Sequence, residues 1–186
     1  MERKKIYLLL TDTGTMFTRM IKLYTKKPYN HASIVFDEDF KEVYSFGRKR
    51  PRNPFIGGFV NEDVRQGLFK NARCAIYSFE ATDEQVQKMR HFIKNIEMEK
   101  HLYRYNLLGL ITFIINKPYE RKRAYFCSEF VAKALNEGEI IHFHKPISLV
   151  SPHDLQSIEN LQLEFEGQLQ HLLAKDMVKN AYPAIF

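Results

Sequence analysis

The chain has no tryptophan and only two cysteines, Cys74 and Cys127, in 186 residues. Without tryptophan, aromatic packing falls to 15 Phe and 10 Tyr. Two cysteines make at most one disulfide, which excludes a scaffold stapled by several. Internal repeats and low-complexity tracts are missing too. Long apolar runs are also scarce. "LLGLITFII", Leu107 to Ile115, is far below membrane-spanning length. After the basic start "MERKK" the apolar stretch is only "IYLLL", too short for the apolar region of a signal peptide. The expectation is a soluble protein in a reducing, cytoplasmic setting. A lone reactive thiol is favoured there over a disulfide.

The length suits one domain, so residues 1–186 are read as a single unit. A chain of this size buries roughly two-thirds of the surface its unfolded form exposes. The net charge is +6 and the pI about 9.2. Basic clusters lie at Lys26-Lys27, at Arg48-Lys49-Arg50 with Arg52, and at Arg121-Lys122-Arg123. Solvated surface loops are one reading. The other is an anionic partner, either a phospholipid surface or an acidic substrate. No basic-aromatic nucleic-acid module is visible, so nucleic acid is the least favoured of these partners.

Periodicity divides the chain into short elements. "KIYLLLT" reads as a buried strand. "TGTMFTRMIKLYT" reads as a short helix, from the spacing of Phe17, Met20, Ile21 and Tyr24. "HASIVF" and "FKEVYSF" flank Asp37-Glu38-Asp39 as a hairpin. "GRKRPRNPFIGG" reads as a loop by its glycine and proline content. "ARCAIYSFEA" is a strand, and Thr82 is the expected N-cap of a helix striped by Val86, Met89, Ile93 and Ile96. "YRYNLLGLITFII" is read as a short helix, the segment after Cys127 as a helix stopped by Gly138, and "LQLEFEG" as a late strand. The tail from His171 suggests a last helix. The order points to an α+β domain, an antiparallel sheet with packed helices, not a doubly wound sheet.

Cys127 stands where the helix "CSEFVAKALNEG" begins. Phe130, Val131 and Ala134 follow at steps of three, four and seven, so Cys127 shares their apolar face. Free amides at a helix start stabilise a thiolate, and the amide of Cys127 can donate to an oxyanion. The bland alternative is a small apolar core residue. For Cys74, in mid-strand, the bland reading is taken.

A thiol nucleophile needs a base. His31 opens a predicted strand, with Ser33 and Val35 on its face. A polar surface histidine is the other reading. A three-residue turn at Asp37 to Asp39 would set Phe36 against Phe40 and His31 against Ser45, with Cβ atoms roughly 5 Å apart. Glu42 would lie too far along the strand and on the other face. Ser45 is therefore the expected third member, with Tyr44 second and a residue from elsewhere, such as Glu62, left open.

"NHASIVFDEDFKEVYSFGRK", followed downstream by "YFCSEFVAKAL", resembles the permuted NlpC-like branch of papain-fold cysteine hydrolases. That branch includes YiiX-like proteins and is related to the lecithin:retinol acyltransferase group. The resemblance runs from about the first strand to Gly138. It implies a permuted papain-like fold, in which a strand histidine precedes the cysteine helix. It also implies Cys127 as nucleophile, His31 as general base and a polar third residue on the strand "EVYSF". Ser45 departs there from the more usual carboxylate, amide or second histidine, since a hydroxyl supplies no charge.

The expected function is a thiol hydrolase of amide or peptide bonds, a cysteine peptidase or amidase that needs no cofactor. Its substrate would be a small peptide or amide; cell-wall peptides are common targets of relatives. The alternatives are a lipid acyltransferase or phospholipase using the same pair, and a non-catalytic binding module. Tyr44, Tyr103 and Tyr105 are candidate groove-lining residues, although Tyr103 and Tyr105 also suit the cap of a core. His142, His144 and His153 could be drawn into a zinc set, but no second cysteine completes it and no metal is expected.

Overall fold

The structure, a computed structural model, describes residues 3–14, 26–50 and 53–174. The helix expected around Phe17 to Tyr24 and the tail beyond residue 174 lie outside them. Residues 169–174 are helical, so the start of the helix expected from His171 is present. Eight strands and four α-helices are described over their whole length. They are β1 (Arg3–Asp12), β2 (His31–Val35), β3 (Val43–Arg50), β4 (Asn53–Asn61), β5 (Arg73–Thr82), α1 (Asp83–Met98), β6 (Arg104–Tyr105), α2 (Leu107–Ile114), β7 (Ala124–Tyr125), α3 (Cys127–Glu137), α4 (Pro152–Gln156) and β8 (Gln162–Gln168). Six strands form one antiparallel sheet in the order β4-β3-β2-β1-β5-β8. β6 and β7 form a small parallel pair beside it. The architecture is mixed α+β. No helix among the described residues is long and apolar enough to cross a membrane.

β1 sits centrally, which explains its unbroken apolar run: Ile6 to Leu10 are buried on both sheet faces. On one face Leu8, Leu10, Ala32, Ile34 and Phe46 meet α1 and α3. On the other, Tyr7, Leu9, Val35, Val43 and Ile76 meet Val64, Phe69, Ala72, Leu169 and Leu173. α1 begins as its sequence predicts. The Thr82 hydroxyl accepts from the Gln85 amide, and the Gln85 side chain accepts from the Thr82 amide. Its stripe of Val86, Met89, Ile93 and Ile96 is buried. α3 is fixed by Phe130, whose ring centroid lies 5.2 Å from that of Phe46 and 5.9 Å from that of Phe59. Burying such a ring contributes about 2–3 kcal/mol. Gly138 does end α3, but at φ −76°; the left-handed residue is Glu139.

Two sequence expectations change. The β2–β3 turn spans residues 37–41, because Val35 pairs with Val43 and the Phe36 amide donates to the Glu42 carbonyl. The Asp37 carboxylate accepts from the amides of Lys41 and Glu42, and Phe40 adopts φ 54°. Continuing that register sets Ser33 against Ser45 and His31 against Gly47. The stretch read as a loop after Gly47 is strand instead: β3 runs to Arg50 and β4 follows. β4 is the sheet edge, where proline and glycine are tolerated.

Candidate active site

Cys127 is the first residue of α3, with Phe126 as its N-cap. Phe126 has no side-chain acceptor to offer. The Glu129 carboxylate instead reaches back and accepts from the Phe126 amide at 3.2 Å, and Asn106 donates to the same oxygen at 3.5 Å. Glu129 is buried, and desolvation pushes its pKa up to about 7 against the two hydrogen bonds that lower it. Cys127 keeps only 5 % exposure. Its thiol points along the start of β2 and donates to the Asn30 carbonyl at 4.0 Å.

His31, the next residue after Asn30, lies close enough to that thiol to feel its charge. Its Nε2 lies 2.9 Å from Glu62 Oε1, with side-chain exposures of 14 % and 7 % for the two residues. Nδ1 is the ring nitrogen left for the sulfur. The Ser33 hydroxyl donates to the other oxygen of Glu62 at 2.6 Å, which holds the carboxylate square to the imidazole. Burial alone would lower the His31 pKa; the charges of Glu62 and of Cys127 outweigh it and hold the pKa well above the ordinary value. Gly47 makes the pair fit. A Cβ there would lie 3.2 Å from Glu62 Oε1 and 3.8 Å from the His31 ring.

The structure thus sets Cys127 beside the start of β2, where His31 stands, and places Glu62, not Ser45, against the imidazole. Ser45 is fully buried and donates to the Ala32 carbonyl at 2.8 Å. The longer turn moved it two residues away from His31. Tyr44 is neither a third member nor a groove residue: it stacks on Phe59 at 5.9 Å over the core. Tyr103 caps the core as well, stacked on Tyr125 at 6.2 Å and edge-on to Phe46.

Tyr105 alone of the three tyrosines reaches the site. Its backbone is pinned by the β6–β7 pairing opposite Tyr125. Its phenol shares the cavity with Cys127, and burial followed by the charge on that sulfur raises its pKa well above the ordinary value. It stays a proton donor at any physiological pH. β4 presses on it closely, since a Cβ on Gly57 would come within 2.8 Å of the Tyr105 Cβ.

Cys127 and Tyr105 open into a cavity of about 540 Å³. Phe113, Phe126 and Leu149 form an apolar wall, and Lys145, Ser151 and Asp154 a polar one. Lys145 and Asp154 pair at 2.6 Å. Cys74 lies elsewhere: it is fully buried under the opposite sheet face, and desolvation pushes its thiol up to about 12. His142 meets Asn136, not a metal set. Among the described residues no cluster of His, Cys, Asp or Glu has the makings of a metal site. Sequence reasoning missed Ser33 and the role of Glu129. Their signals were slight: a hydroxyl two residues after the histidine on the same face, and a glutamate in the first helical turn.

Comparison with protein-family models, with curated proteins and with solved structures finds no match.

Proposed function

We propose that the protein is a thiol hydrolase of amide or peptide bonds, built on a permuted papain-like plan. One observation carries this reading. A cysteine at a helix start, a histidine on a sheet strand and a buried carboxylate lie in series, and the histidine precedes the cysteine in the chain. In this reading Cys127 Sγ attacks the substrate carbonyl carbon. The carbonyl electrons move to oxygen, which is held by the Cys127 amide and the Tyr105 phenol. The tetrahedral adduct collapses, the C–N bond breaks, and the amine leaves with the proton carried by the His31 imidazolium. Neutral His31 then takes a proton from water, whose oxygen attacks the thioester. Release of the acid returns the thiol and the proton to the pair. Glu62 steadies the imidazolium throughout. The idea of a non-catalytic module rested on a missing acidic partner, and Glu62 fills that place.

The apolar wall of Phe113, Phe126 and Leu149 favours a second reading, acyl transfer from a lipid ester through the same thioester. Both readings share one test. Iodoacetamide alkylation of Cys127 is followed across pH in the wild type and in His31→Ala, with buried Cys74 as the internal control. The expected result is alkylation of Cys127 near neutral pH that depends on His31 and is lost in His31→Ala. A profile like that of free cysteine, unchanged by His31→Ala, would overturn both. Release of amine from peptide anilides, against release of fatty acid from lipid esters, separates them.

A further inference from the structure

Five of the seven exposed large apolar side chains among the described residues fall between residues 98 and 119: Met98, Leu102, Leu108, Ile115 and Tyr119. Scattered surface apolar groups need no explanation, but a concentration in one segment does. α2 is its centre. The helix carries no charge, and among its described apolar side chains some face the cavity and others solvent. Phe113 faces the cavity and packs on Phe126 at 5.9 Å. Leu108, in its first turn, and Ile115, just past its end, are 53 % and 58 % exposed. A helix apolar on all sides is normally covered.

The charges around it are mostly positive. Residues 98–123 hold Lys100, Arg104, Lys117, Arg121, Lys122 and Arg123 against Glu99 and Glu120. The segment leaving the C-terminal end of α2 returns to β7, which pairs with β6 just before α2. It therefore runs back alongside the helix, and residues 115–123 are all exposed. Arg123 is tied to Glu99 at 3.1 Å, whereas Lys117, Arg121 and Lys122 have no ion pair among the described residues. Exposed apolar side chains rimmed by unneutralised cations match one surface chemistry: acyl chains beneath anionic headgroups.

We propose that the α2 face, with the basic segment 117–123, docks on an anionic phospholipid surface. Leu108 and Ile115 enter the headgroup boundary, and Lys117, Arg121 and Lys122 contact lipid phosphates and carboxylates. Eight helical residues cannot anchor the protein by themselves, so attachment is reversible and salt-sensitive. This surface does not depend on the thiol chemistry.

The test is vesicle flotation with Cys127→Ala full-length protein, using phosphatidylcholine alone and phosphatidylcholine mixed with phosphatidylserine. Binding to the mixed vesicles only, weakening with salt, is expected. Lys117→Gln/Arg121→Gln/Lys122→Gln should weaken binding on the order of a hundred-fold. Leu108→Ser/Ile115→Ser should weaken it as well. Glu120→Lys should strengthen it about tenfold or more, a gain that misfolding cannot produce. Three results would overturn the proposal. One is no flotation at low salt. Another is flotation that these variants leave unchanged. The last is sedimentation showing self-association that Leu108→Ser/Ile115→Ser abolishes, which would make the face a contact between copies of the chain.

Discussion

Glu62 and His31 stand 2.9 Å apart with little solvent between them, and the carboxylate sets which form of the imidazole is favoured. A neutral acceptor in its place would leave the hydrogen bond and remove the charge. Glu62→Gln makes that change, keeping one oxygen for His31 Nε2 and turning an amide NH2 toward the Ser33 hydroxyl, which then accepts. An opposite charge at this range raises a pKa. The His31 pKa, followed by the NMR shifts of its ring, should therefore fall in Glu62→Gln. Cys127 alkylation near neutral pH should slow in parallel. An unmoved titration would mean that Glu62 orients the ring without charging it. Ser45→Ala, at the position favoured by the hairpin count, should leave the His31 titration where it was, because its hydroxyl serves the Ala32 carbonyl. At this scale the two ends of the pair were legible. Cys127 was marked by a helix start and an apolar face, and His31 by its place at the head of an alternating strand. Glu62 was named only as an open alternative, because nothing local to "GGFVNED" says which residue 31 positions earlier it will meet.

That meeting is decided by elements. The three-residue turn was the simplest hairpin the sequence allowed. The observed turn is two residues longer, because Asp37 binds the Lys41 and Glu42 amides and Phe40 takes a left-handed conformation. A shift of two preserves every side chain's face, so the core pattern was right while the cross-strand partner of His31 was wrong. β4 was read as loop for a similar reason. Its proline and glycines are breakers in a central strand but acceptable on an edge, and sheet order is not written in local composition. Those glycines also have work near the thiol. Gly57 lets β4 close on Tyr105, and an added Cβ would sit 2.8 Å from both the Gly47 carbonyl oxygen and the Tyr105 Cβ. Backbone cannot yield as a flexible side chain would, so Gly57→Ala must displace β4 from β6. Thermal unfolding should show a loss of about 1–3 kcal/mol. Cys127 alkylation should change rate as Tyr105 withdraws, whereas a purely structural lesion would leave the folded protein's reactivity as it was.

Over the whole molecule, two buried titrating groups tie stability to pH in the same direction. The His31 pKa is raised above its unfolded value. Its contribution is therefore complete below the unfolded pKa of about 6.5 and is lost as pH rises through the folded value. Glu129 is a carboxyl raised from 4.5 to about 7. Between those values the folded chain holds a proton that the unfolded chain has released, so stability falls as pH climbs through that window. Above about pH 7 the buried charge destabilises the fold by about 3 kcal/mol. Glu129→Gln removes this dependence while keeping an oxygen for the Phe126 amide and the Asn106 side chain. The variant and the wild type should match below pH 4.5. The variant should then become progressively more stable than the wild type, levelling off above about pH 7 at a gain of about 3 kcal/mol. Denaturant unfolding at a series of pH values reads the difference directly. A constant offset at every pH would show that Glu129 acts by packing alone. The fall that remains in Glu129→Gln as pH rises above about 6.5 includes the share of His31, and adding Glu62→Gln should reduce it.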